Sequence, residues 1–149
     1  MSLPNVSSDL VWEITRNSNS YLVKRNTAGG VHFSRDPLNL TNVNSRKHAG
    51  YVNEKAVGIS ADGEKGVKVV SKTKATRQPA KNAHQRTFGS HNRKTYKNIA
   101  SSTGKSGYRP DLLQAAVARA SAIRRSQRPV KPEPERKLRG NAAKKAAQE

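Results

Sequence analysis

The sequence predicts an α+β fold: a small antiparallel β-sheet body, a basic irregular segment, a C-terminal helix and an extended tail. Three observations point there. Short runs that alternate apolar and polar residues, separated by turn chemistry, fill the N-terminal half. Between Tyr108 and Val130 apolar residues recur instead at helical spacing. The hydrophobic share is only 33% and the aromatic share 5% of 149 residues, too little for one large core. The parts are residues 1–72 as β-rich body, 73–107 as basic extension with a short helix, 108–130 as an Arg-edged amphipathic helix and 131–149 as a basic tail, flexible unless bound.

Leu10, Trp12 and Ile14 alternate with Val11, Glu13 and Thr15. Asn17-Ser18-Asn19-Ser20 follows as turn chemistry, and Tyr21, Val23 and Arg25 alternate again. Residues 9–25 therefore read as a β-hairpin, with Trp12 as a core anchor. Gly29-Gly30 breaks the chain, and Asp36-Pro37 opens a polar loop to Asn44. Apolar-containing runs follow at Ala49–Val52 and Lys55–Ser60. Val57-Gly58-Ile59 and Val67–Val70 flank the turn Ala61–Gly66 and predict a second hairpin. Asp62 and Glu64 do not make that turn a calcium loop, because the repeated oxygen ligands and terminal glutamate are missing.

Charge is distributed unevenly. Residues 1–70 hold nine Lys/Arg against six Asp/Glu, a net +3, and residues 71–149 hold twenty against four, a net +16. No carboxylate stands between Glu64 and Asp111, where twelve Lys/Arg do. The whole chain carries +19, so self-repulsion opposes compaction and a polyanion is the expected partner. His84, Phe88, His91, Tyr96 and Tyr108 are interleaved with the charge. Cations neutralise phosphates and flat side chains stack on unpaired bases, so the pattern points to nucleic acid.

Within the basic segment, Ser71–Asn92 has no periodicity and is expected to order only on RNA. Arg93–Ser102 reads as a short helix, since Tyr96, Ile99 and Ala100 share a face and Gly104 offers a stop. Pro110 suits a first helical turn and Asp111 complements the positive end of the helix dipole. Leu112, Leu113, Ala116, Val117, Ala120 and Ile123 then form one stripe, and Pro129 ends it. Ala115, Ala118 and Ala122 occupy the opposite face, with Arg119 and Arg125 at its margins and Arg124 and Arg128 near the end. That thin face could approach an anion closely, or simply meet water.

Catalytic and metal chemistry finds little support. Gly104-Lys105-Ser106 hints at a phosphate loop, but Ile99 stands where the motif needs glycine. His32, His48, His84 and His91 lack paired ligand spacing with acidic neighbours, and cysteine is absent. No cofactor, metal or enzyme activity is expected. MSLPNVSSDLVW shows neither a basic leader nor an apolar core, so the chain reads as intracellular and soluble.

Several stretches together resemble a known family. Leu10-Val11-Trp12, Arg16-Asn17 and Tyr21–Asn26, then Arg46-Lys47, Ala56–Ile59, Asp62-Gly63 and Val67–Val70 carry the likeness. Tyr108–Leu112, Arg119–Ile123 and Ser126–Val130 are its most specific part. They resemble the eukaryote-specific family of large-subunit ribosomal protein twenty-eight, the L28e type, over roughly residues 9–130. The resemblance implies a structural constituent of the cytosolic large (60S) ribosomal subunit, assembled in the nucleolus. Its partners would be large-subunit ribosomal RNA and neighbouring large-subunit ribosomal proteins, with no membrane and no small-molecule substrate. A nucleolar ribosome-assembly factor shares a related domain and is the alternative; a DNA-binding chromatin protein is a more distant one.

The expected RNA contacts are Arg16, Lys24, Arg25, Arg46 and Lys47 in the body, then Lys72, Lys74, Arg77, Lys81, Arg86, Arg93, Lys94 and Lys97 in the extension. Tyr108, Arg109, Arg119, Arg124, Arg125 and Arg128 complete the set on the helix. Residues 27–44 and 78–107 match the family weakly, so contacts in 78–107 are inferred from charge alone.

Overall fold

A computed structural model describes residues 5–27, 29–73, 78–89, 92–133 and 139–141. Lys74, Arg77 and most of the 131–149 tail lie outside that set. The chain opens with helix α1, Ser8–Thr15, not with a strand. Ser7 caps it, its hydroxyl accepting from the Leu10 amide at 3.2 Å, and Asp9 sits in the first turn. Those caps outweigh the β-preference of Val11, Ile14 and Thr15. The first sheet accordingly pairs β1, Leu22–Arg25, with β2, Val31–Ser34, in antiparallel register. Trp12 is half-buried and stands outside the core cluster, so it is not the core anchor.

The second sheet is a meander of β3, Val57–Asp62, β4, Gly66–Lys72, and β5, Ala83–Phe88. The β3–β4 hairpin is where alternation predicted it, with Asp62 opposite Gly66 and Gly63 at φ +60° in the turn. β5 falls inside the segment read as irregular. Its exposed sequence AHQRTF shows little apolar alternation, but it pairs with β4 from Lys72↔Ala83 to Val67↔Phe88.

Helix α2, Asn92–Ala100, runs into a π-helical turn at Ser101–Lys105. A 3-10 turn at Pro110–Leu112 then leads into α3, Leu113–Ser126. Hydroxyls widen the π turn: Thr103 Oγ1 donates to the Ile99 carbonyl at 2.7 Å and Ser106 Oγ to that of Ser102 at 2.6 Å.

The core lies between the helices and one face of β3–β4: Val57, Ile59, Val67 and Val69 against Ile99, Leu112, Ala116 and Ala120. The helical stripe is buried as its spacing predicted, but Ala115 packs against the core rather than facing away with Ala118 and Ala122. Because Ile99 is fully buried, packing within the protein holds α2 in place. The other face of β3 is covered by the loop after β2. A Cβ on Gly58 would come within 2.3 Å of the Pro37 carbonyl, and one on Gly50 within 2.3 Å of Leu38 Cβ. This loop is polar, as expected, yet Asp36 and Asn39 are buried. Asp36 accepts from the amides of Leu38 at 2.9 Å and Tyr51 at 3.0 Å. Asn39 donates to the Val43 carbonyl at 2.9 Å and accepts from the Thr41 amide at 3.1 Å.

Candidate nucleic-acid interface

The predicted contacts divide into two sets. Five are held by the protein itself. Arg46 ties α1 to the loop before β3, donating to Asp9 at 3.0 Å, to Ser8 Oγ at 2.8 Å and to the Asn53 side chain. Arg109 grips Asp111 through two bonds of 2.8 Å and donates to the carbonyls of Lys55 at 2.7 Å and Lys47 at 3.1 Å. This Arg109 hydrogen bonding holds the Asp111 carboxyl below its ordinary range.

Arg124 reaches the Lys65 carbonyl in the β3–β4 turn, beside Gln127, whose amide donates to Gly66 at 2.8 Å. Lys72 donates to the Asn53 carbonyl at 2.9 Å, and burial lowers its pKa although Asp36 opposes the shift. Tyr108 donates to the Lys72 carbonyl at 2.7 Å, with burial pushing its phenol upward. Within the protein these five staple α3, the 45–55 loop and the sheet together. Guanidinium groups suit this stapling, since one fork satisfies several carbonyls at once.

The remaining described contacts face outward. Lys24 and Arg25 are exposed on β1, Lys47 on the 45–55 loop, Lys81 before β5 and Arg86 on β5. Arg93, Lys94 and Lys97 share the solvent face of α2, opposite Tyr96 and Ile99. Arg125 and Arg128 are exposed at the end of α3, and Arg119 is half-exposed beside Ala118 and Ala122. Arg16 is exposed too, with Glu13 at 3.2 Å as an i,i+3 partner. Apart from Arg16, none of these forms an ion pair among the described residues. Exposed cations lacking carboxylate partners remain available to phosphate.

The comparison with known families decides which protein class carries this surface. Residues 10–126 match the model of the Ribosomal L28e protein family. The chain belongs to that family. A relative in Schizosaccharomyces pombe, named large ribosomal subunit protein eL28, is 45% identical over 130 residues, covering 85% of this chain and 97% of its own length. Relatives of the same name in Dictyostelium discoideum and Caenorhabditis elegans are 31% and 35% identical. They cover 91% and 82% of this chain, and 100% and 91% of their own lengths. The family is one of ribosomal proteins, not of enzymes. Its match spans both sheets, α2 and all of α3, so it includes the stapling residues and most of the outward cations.

Ser102 and Ser106 line a cleft beside β5 together with His84, and sequence reasoning singled out neither serine as a contact. The interleaving of His84 with arginines was the cleft's only sequence signal.

Proposed function

We propose that this chain is a structural constituent of the cytosolic large ribosomal subunit, binding and positioning ribosomal RNA through Lys/Arg–phosphate contacts. Membership of a ribosomal protein family over 10–126 carries the reading. The outward cations on β1, β5, α2 and the end of α3 support the mode of binding. Such contacts fix the position of a protein on RNA without reading base sequence. Neighbouring large-subunit proteins complete its surroundings, and assembly begins in the nucleolus.

Sedimentation tests the assignment. A structural constituent is stoichiometric with the large subunit in translating polysomes. Presence only in nuclear precursor particles would instead identify an assembly factor.

A further inference from the structure

A cleft of about 390 Å³ lies between the second sheet and the turn that follows α2. Its floor is apolar: Val57 from β3, Val69 from β4 and Phe88 from β5. Arg86 is directly opposite Val69 in the sheet register and so stands on the same face, at the edge of that floor. The facing wall carries Ser102, Ser106 and Tyr108, and Lys55 lies with its ammonium 5.9 Å from the Tyr108 ring centroid. His84, Lys55 and Arg86 line the cleft and, among the described residues, no carboxylate does. Neither Lys55 nor Arg86 has an ion pair among the described residues.

The size lies in the range of small-molecule sites, roughly 300–1,000 Å³. An acidic peptide side chain would answer the cations but leave the floor bare, and an aliphatic anchor would do the reverse. A nucleotide meets both, with a flat apolar face and an anionic edge. We propose that this cleft receives one unpaired nucleotide of RNA, its base over Val69 and Phe88 and its phosphate met by Lys55 and Arg86. The inference rests on the RNA-binding reading above and adds a stacked base to contacts otherwise confined to phosphate.

The test is an NMR titration of the full chain with a short single-stranded RNA and, separately, with a blunt RNA duplex. The single strand should shift the Val69, Phe88, Gly107 and Tyr108 amides saturably, and the duplex should leave them in place. Ser71→Phe, which fills the cleft, should abolish those shifts while duplex binding persists. Should that variant not fold, Arg86→Ala on the exposed strand should weaken single-strand binding about tenfold, and duplex binding less. Equal response to both RNAs would mean general electrostatic attraction and overturn the proposal. Shifts confined to Arg93, Lys94 and Lys97 would overturn it too, while leaving the RNA-binding reading intact. No shift with either RNA would overturn both. In assembled subunits, a photoreactive side chain in place of Ser106 should crosslink to RNA; crosslinking to a neighbouring protein would assign the cleft to that protein instead.

Discussion

Arg109, just ahead of α3, and Arg93, in the first turn of α2, carry the same side chain in opposite circumstances. Arg109 is only 16% exposed and bonds to one carboxylate and two carbonyls, whereas Arg93 is exposed on the solvent face of its helix. The contrast extends further: Arg46 and Arg124 also hold backbone or side chains far away in sequence, while Lys94 and Lys97 make no such bond among the described residues. A chain with +19 and a small core thus uses part of its basic excess as internal stapling and leaves the rest exposed. Composition records the total only; tertiary carbonyls decide the division.

The strongest way to break the distinction is Arg109→Ala. It strands the Lys55 and Lys47 carbonyls and the Asp111 carboxylate, and should cost roughly 2–3 kcal/mol in urea unfolding of the free protein. A loss below about 0.5 kcal/mol would place Arg109 with the surface cations.

The two alanine faces of α3 sharpen the same division. Ala120 is fully buried, so Ala120→Leu should overpack the core by about 1–3 kcal/mol. Ala118 is exposed, and Ala118→Leu should change stability by no more than about 0.5 kcal/mol while reducing incorporation into large subunits. Normal incorporation of Ala118→Leu would mean this face meets only water.

A smaller effect should appear in the pH dependence of the stapled region. Burial lowers the His48 pKa below its ordinary 6.5, aided by the charges of Lys47 and Arg109. The folded state therefore disfavours the protonated ring. The stability it contributes is fully present above pH 6.5 and is lost as pH falls towards its folded pKa. Thermal melts of His48→Gln should lack this part of the acid decline. An unchanged profile would assign the decline elsewhere.

The smallest change in stability is expected on α2. Arg93→Ala, Lys94→Ala and Lys97→Ala should each leave the melt within about 0.5 kcal/mol of the parent, since the three side chains are exposed. A larger loss would mean that α2, too, uses its cations internally.

The β3–β4 hairpin and α3 are legible in the sequence because their apolar periods, two and helical, coincide with what they bury. In α1 the same alternation misleads: Leu10 and Ile14 remain exposed, and the decisive signal is the Ser7-Ser8-Asp9 start. β5 is hard to see because it is a polar edge strand whose order comes from pairing with β4. In the candidate interface, charge identified the outward residues on α2 but could not identify the staples. Arg46 meets Asp9 across 37 positions, and Arg109 meets Lys55 across 54. No local pattern carries such distances.

The division between staples and outward cations, and the proposal that the latter meet RNA, is tested most directly by the salt dependence of binding to large-subunit RNA. Against the parent chain stands the combined variant Arg93→Ala, Lys94→Ala, Lys97→Ala. If these three meet phosphates, the slope of log K against log salt should flatten by about 2–3, roughly 0.7–0.9 for each phosphate no longer neutralised. An unchanged slope with weaker or equal binding would contradict the account, because the outward cations of α2 would then not be what holds the RNA.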